Sequence, residues 1–142
     1  MFEYFLRVEV RESTDMAGES DEKLRFALSR IETWMDGNEL MSPLGSDRLT
    51  RGEIVHPNGI PLVVAFGARN HAVDKLDQLR ELVRLIADVA PGSYGFLYHL
   101  DSDLDDRWRV TVLRRGQVTE EDDTWFSSII PMVEDPARFD DD

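Results

Sequence analysis

The chain contains no cysteine among its 142 residues, which excludes disulfides, zinc–thiolate sites and cysteine nucleophiles and suits a reducing cytosol. Long apolar segments are also absent. The longest apolar run, Ile60–Ala68, is about half the length that a membrane-spanning helix needs. The N-terminal ten residues carry charges within their apolar pattern, which is not typical of a signal peptide. We therefore expect a soluble, cytoplasmic protein with no membrane partner.

Residue types that form catalytic or metal sites are few and scattered. The three histidines, His56, His71 and His99, lack metal-ligand spacing. Ser93 lies in PGSYG, which lacks the first glycine of a nucleophile elbow, and no glycine-rich phosphate-binding loop occurs. The sequence therefore predicts a protein that is not an enzyme and that requires no metal or cofactor.

Bases are fewer than acids, 16 against 29, and the resulting net charge of −13 is concentrated in two places. Asp101–Asp106 has four acids and no base, and Thr119–Asp142 has nine acids against Arg138 alone, so the two segments carry 12 of the 13 net negative charges. Such runs are typical of a solvated loop and tail, and also of a surface that attracts a basic protein. Nucleic acid and anionic membranes are disfavoured as partners because both would be repelled.

Apolar periodicity and turn residues predict an α+β fold. The predicted elements in chain order are a strand at Phe2–Arg11, a helix capped by Ser20 and ended by Gly37, a hairpin of Glu53–His56 and Ile60–Phe66 around Pro57-Asn58-Gly59, a helix from Asn70 or His71 to Pro91, and strands at Tyr94–Leu100 and Trp108–Arg114. Glu39–Leu44 and Ser128–Val133 are further strand candidates. The order β-α-β-β-α-β-β predicts a mainly antiparallel sheet with two helices packed on one face, and its first six elements follow the ferredoxin-like order. We expect one domain over residues 1–135 and a disordered acidic tail over residues 136–142.

Two acidic runs near the last predicted strands are the candidate binding residues. The first lies in a loop and the second follows the later strand, and each lies near a tryptophan: Asp101, Asp103, Asp105, Asp106 and Trp108, then Glu120, Glu121, Asp122, Asp123 and Trp125. Trp108 alternates with apolar residues, which favours its burial. Trp125 is the better candidate for an exposed side chain that anchors a partner protein. We expect the four loop carboxylates to be solvent-exposed, so that reversing their charge leaves the fold intact.

The spacing of Asp101, Asp103 and Asp105 leaves a calcium-binding module or a carboxylate-rich, metal-dependent enzyme open as the alternative. A calcium loop of this type requires a glycine at the next position and a glutamate six residues later. Those positions hold Asp106 and Val112. The residues themselves therefore favour a protein-binding surface over a metal site.

Three segments of the last third resemble immunity protein family 7 of bacterial polymorphic toxin systems: APGSYGFLY (Ala90–Tyr98), VTVLRRGQVTEEDD (Val110–Asp123) and SSIIPMVED (Ser127–Asp135). Thr124 and Ile129 depart from the family pattern, which has a proline and a cysteine there. The resemblance implies a small α+β protein, encoded beside a secreted toxin, that binds and neutralises this toxin in the producing cell. Many such toxins are nucleases. The ten residues of the acidic runs and their tryptophans are then expected to contact a basic toxin domain, and PGSYG to have a structural role in which Gly95 allows close strand–helix approach.

Overall fold

In a computed structural model, the chain forms two α-helices and six strands over the residues that the structure describes. These are residues 1–15, 20–40, 50–72, 74–105 and 107–127, and the side chains at 50, 51 and 124–127 lie outside this description. The elements in chain order are β1 (Phe2–Glu9), α1 (Asp21–Gly37), β2 (Thr50–Val55), β3 (Leu62–Arg69), α2 (Lys75–Val89), β4 (Tyr94–Asp101), β5 (Arg107–Arg114) and β6 (Gln117–Ser127). Residues 41–44 of one strand candidate, the second candidate at 128–133 and the tail at 136–142 lie outside the described residues.

All strand pairings are antiparallel, in the order β2-β3-β1-β4-β5-β6. The first four strands have the ferredoxin-like arrangement, and β5 and β6 extend the sheet beyond β4. The predicted α+β class, element order and antiparallel sheet are therefore confirmed. The sixth strand is additional: Arg115 and Gly116 have φ values of 50° and 75°, and this tight turn pairs Gln117 with Arg114.

The core lies between one face of the sheet and the two helices. The alternation of β1 places the side chains of Phe2, Leu6 and Val8 on this face, where they are fully buried. Each helix contributes an apolar stripe to the same cluster: Ala27, Ile31 and Met35 from α1, and Leu79, Leu82, Val83 and Ile86 from α2. Burying a side chain of this size stabilises the fold by about 1.5–3 kcal/mol. Neither helix has the length and apolar character that crossing a membrane requires, within the part of the chain that the structure describes.

Local signals place most element boundaries. The Ser20 side chain accepts a hydrogen bond from the Lys23 backbone N–H at 3.4 Å, and α1 ends at Gly37 as predicted. Asn58 and Gly59 adopt positive φ in the turn between β2 and β3. Helix α2 begins later than predicted, at Lys75. The reason is that β3 runs past its predicted end at Phe66 as far as Arg69, because these residues pair with the N-terminal end of β1.

The PGSYG segment is structural, because two of its glycines lie against backbone. A Cβ atom on Gly92 would lie 1.9 Å from the Ser13 carbonyl oxygen, and one on Gly95 would lie 2.1 Å from the Arg7 carbonyl oxygen. Gly95 therefore permits close approach of β4 to β1, and the predicted strand–helix approach is wrong. Ser93 is buried between these glycines, and its hydroxyl accepts a hydrogen bond from the Arg11 N–H at 3.0 Å. The segment joins the end of α2 to the centre of the sheet.

Candidate functional site

The loop between β4 and β5 is organised by Asp101. This carboxylate is 8% exposed, and its Oδ1 accepts a hydrogen bond from the Asp103 N–H at 3.1 Å. The Asp101 carbonyl oxygen accepts two further bonds, from the N–H groups of Leu104 and Asp105. Such local side-chain bonds are typical of turns that begin with aspartate. The expectation of four solvated carboxylates is therefore wrong for Asp101, and Asp106 lies outside the described residues.

Asp103 and Asp105 each have a cationic or titratable partner. The His71 ring Nδ1 lies 2.7 Å from Oδ2 of Asp103, and this hydrogen bond holds the pKa of Asp103 below its usual value. Arg109 donates to Asp105 at 2.6 Å, and the hydrogen bonds from Arg109 and from the Arg107 N–H hold the pKa of Asp105 below its usual value. Both carboxylates are therefore ionised and positioned at neutral pH.

The second acidic run lies within the edge strand β6 and does not form a loop. Because side chains alternate across a strand, the four acids point in two directions. Glu120 and Asp122 lie opposite Thr111 and Arg109 on the helix side of the sheet, while Glu121 and Asp123 are on the other side. No apolar alternation marks this strand in the sequence, so the sequence predicts only that the acidic run follows the strand Trp108–Arg114.

Glu120 connects β6 to the second helix. Both of its carboxylate oxygens accept hydrogen bonds from the Arg80 guanidinium, at 2.9 and 3.0 Å. One nitrogen, Nη2 of Arg80, donates both bonds, which are charge-assisted and therefore stronger than hydrogen bonds between neutral groups. The bond fixes the position of Glu120 at the outer edge of the sheet, and it gives Arg80 of α2 a role that the sequence analysis did not assign.

Arg109 brings the two acidic runs together. It contacts Asp105 of the loop at 2.6 Å and Asp122 of β6 at 3.6 Å, and Arg107 also lies 3.6 Å from Asp122. Three arginines therefore lie among the described acids of the two runs, which are Asp101, Asp103, Asp105, Glu120, Glu121, Asp122 and Asp123. We leave out the buried Asp101 and Asp123, which is bonded to Tyr98, and call Asp103, Asp105, Glu120, Glu121 and Asp122 the acidic surface. Its acids exceed the three arginines by two, and Glu121 joins it along the edge strand although its side chain points to the other side of β6.

The tryptophans of the two runs lie on separate strands. Trp108 is half-buried in β5, on the sheet face opposite the helices, with its ring centroid 6.3 Å from that of Tyr98. The Tyr98 hydroxyl donates to Asp123 at 2.8 Å, and burial, with this bond, raises the pKa of Tyr98. Trp125 belongs to β6, but its side chain lies outside the described residues. Trp108 thus belongs to an aromatic face and not to the acidic surface.

Sequence analysis missed His99, which lies directly behind the acidic surface. It is 2% exposed, and its Nε2 is 3.7 Å from Oε1 of Glu120 without a hydrogen bond. Its pKa is lowered to about 4, chiefly by burial; the charge of Glu120 opposes this shift, and the positive charges of Arg80 and Arg109 contribute to it. At neutral pH the imidazole is therefore uncharged and leaves the charge of the surface unchanged. Its position in an apolar alternation of β4 is the one signal that could have indicated burial.

The carboxylates that the alternative assigned to a metal do not converge. Asp101 bonds to loop backbone, Asp103 to His71 and Asp105 to Arg109. Over the described ranges, no group of three or more His, Asp or Glu side chains is arranged to hold a metal ion. What the arrangement offers chemically is a set of positioned hydrogen-bond acceptors with an excess of negative charge.

Comparison with known protein families matches nearly the whole chain. The model of the family described as Immunity protein 7 matches residues 1–135, which include every element described above. No curated protein and no solved structure matches the chain. The resemblance seen in the last third of the sequence is thus confirmed over a much longer range. The chain belongs to the Immunity protein 7 family.

Proposed function

We propose that this protein neutralises a cognate secreted nuclease toxin by binding it through the acidic surface. Family membership implies an immunity protein against a toxin. The observation that supports the finer proposal is the position of Arg109 between Asp105 and Asp122, because it joins two acidic runs that are distant in sequence into one surface. The surface has its carboxylates already positioned, which reduces the entropy that binding costs.

A nuclease fits this surface for a physical reason. An enzyme that binds nucleic acid must present lysine and arginine side chains to the phosphates, so its substrate cleft carries positive charge. Carboxylates held in a fixed arrangement are complementary to such a cleft, and the excess of negative charge speeds the encounter. Neutralisation would then follow from occupation of the substrate path, with no chemical step by the immunity protein. The same charge repels nucleic acid and anionic membranes, so we propose a protein partner in the cytoplasm.

The test compares two double charge reversals in binding to the toxin domain encoded by the neighbouring gene. The first variant, Glu121→Lys with Asp122→Lys, changes the acidic surface. The matched control, Glu32→Lys with Asp36→Lys, changes net charge equally on exposed positions of α1. We expect the first variant to lower the association rate at low salt by at least about tenfold, because steering raises association rates by roughly 10²–10³. Stopped-flow fluorescence at several salt concentrations measures this rate.

The control separates the effect of charge on the acidic surface from the effect of the protein's net charge. If both variants slow association equally, net charge alone attracts the toxin and the acidic surface has no special role. If neither variant changes the rate, the toxin binds elsewhere. A purified protein that itself cleaves nucleic acid would contradict the non-enzymatic part of the proposal.

A further inference from the structure

The sheet face opposite the helices carries a row of aromatic side chains that extends over four strands. Phe5 of β1 pairs with Phe66 of β3 on one side and with Tyr98 of β4 on the other. Ring centroids are separated by 5.9 Å for Phe5 and Phe96, 5.7 Å for Phe96 and Tyr98, and 6.3 Å for Tyr98 and Trp108. Phe5 and Phe66 are 40% and 44% exposed. We call these five residues the aromatic patch.

Charged residues surround this patch, and acids are in excess. The register places Glu3, Glu53 and Glu121 opposite Leu100, Val64 and Val110, all on the same face as the patch. Asp123 reaches the same face through its hydrogen bond with Tyr98. Three arginines of this face, Arg7, Arg51 and Arg114, pair in register with Phe96, Phe66 and Tyr94, so the four acids exceed the arginines by one. An apolar centre with a charged rim is the usual anatomy of a protein–protein interface.

We propose that the aromatic patch is the apolar centre of the toxin interface, and that its occupant is an apolar toxin surface bordered by lysine and arginine. This inference rests on the proposed function. The alternation of β6 makes the patch continuous with the acidic surface, because Glu120 and Asp122 lie on one side of the strand and Glu121 and Asp123 on the other. Tyrosine and tryptophan are also the residues most often found at interface hot spots.

The charges of the rim favour a basic partner over a second copy of this chain. A twofold dimer through this face would place the same patch on both subunits, because such interfaces are self-complementary. The carboxylates of the rim would then face a second set with the same excess of negative charge. Like charges brought together at an interface cost several kcal/mol, whereas a basic partner turns the same carboxylates into favourable pairs.

The two surfaces should affect different rate constants. Charge outside the apolar centre acts on the encounter and therefore on the association rate, whereas loss of an apolar hot spot acts on dissociation. The acidic surface should thus control how fast the toxin binds, and the aromatic patch should control how long it stays bound. This difference makes the aromatic patch testable independently of the acidic surface.

The experiment measures dissociation of the immobilised toxin domain from Phe5→Thr, from Phe66→Thr and from Phe26→Gln. Threonine suits a strand and glutamine suits a helix, so each substitution respects its local structure. Phe26 is the matched control, since it is 64% exposed on α1 and lies outside the patch. We expect each patch variant to raise the dissociation rate at least tenfold with the association rate changed less than twofold, and Phe26→Gln to change neither rate. Two patch variants guard against the failure of one to fold.

Three results would overturn the inference. Dissociation rates equal to that of the unchanged protein in both patch variants would exclude the patch from the toxin interface. A dimer in light scattering that Phe5→Thr converts to monomer would identify a second copy as the occupant. A large fall in melting temperature that Phe5→Thr shares with deletion of residues 128–142 would identify the chain's own C-terminal segment as the occupant of the aromatic patch. Failure of the unchanged protein to bind any toxin domain would instead contradict the proposed function itself.

Discussion

The buried His99 makes stability depend on pH in a way that can be calculated. His99 pairs in register with Tyr4 of β1 and with Arg109 of β5. The charges of Arg80 of α2 and Glu120 of β6 also act on its imidazole. Burial lowers its pKa in the folded protein to about 4 from an ordinary value of 6.5. The unfolded chain therefore binds a proton at a pH where the folded protein does not. The stability that the neutral imidazole contributes is present above pH 6.5 and is lost as the pH falls toward 4.

The size of the effect follows from these two pKa values. At a pH well below both values, each unit by which the folded pKa lies below the unfolded pKa lowers the free energy of unfolding by about 1.36 kcal/mol. Between pH 7.5 and pH 5 the unfolded state gains most of its proton and the folded state gains little of it. The linkage relation then gives a loss of about 2 kcal/mol in the free energy of unfolding from His99 alone. That loss is a substantial part of the stability of a domain of this size.

The assay is urea unfolding of the unchanged protein and of His99→Leu at both pH values. Carboxylates titrate in both proteins, so the difference between the two free energies of unfolding isolates the histidine. We expect this difference to shift by about 2 kcal/mol in favour of His99→Leu as the pH is lowered from 7.5 to 5. A difference that stays constant would refute the reasoning, because it would show that the imidazole gains its proton equally well in both states. An NMR titration of His99 gives the folded pKa directly.

Two further predictions concern stability. Gly95→Ala should destabilise the fold by about 3 kcal/mol or more in thermal melts, because its Cβ would meet the Arg7 carbonyl, whereas Gly37→Ala, with open space around it, should be neutral or stabilising by up to about 1 kcal/mol. Equal effects of the two substitutions would contradict the close approach of β4 to β1. Arg109→Met should lower the melting temperature at low salt by removing its pairs with Asp105 and Asp122, and high salt should reduce this loss. A variant whose stability is unchanged at low salt would show that Arg109 does not hold the two acidic runs together.

Features that depend on neighbours in the sequence were predictable. The alternation of β1, the Ser20 cap, the end of α1 at Gly37 and the turn around Asn58 all appear at the predicted places. Each results from a local property: side-chain direction in a strand, a hydroxyl near free N–H groups, or a backbone angle that few residues adopt. The family resemblance depended equally on short segments such as Ala90–Tyr98, and the family match confirms it.

Which side chains of β6 lie on the helix side of the sheet was not predictable from the sequence. In β6 both faces are polar near the acids, so no apolar alternation shows which of Glu120 and Glu121 lies on the helix side. Pairing with β5 decides this, and it separates the acidic run into two pairs with different surroundings. Asp101 is a comparable case. Its spacing from Asp103 and Asp105 is that of a calcium-binding loop, but its position at the end of β4 makes it a buried turn residue.

The sequence by itself determined the fold class, the family and the concentration of acid near the last strands. Only the tertiary structure decided which acids share a surface, because their partners come from distant parts of the chain. Arg80 of α2 contacts Glu120 of β6, and Arg109 contacts Asp105 and Asp122 from two different segments. The aromatic patch likewise exists only after four strands are placed side by side. Charge and apolar content are properties of composition, whereas a binding surface requires the positions that strand register gives to each side chain.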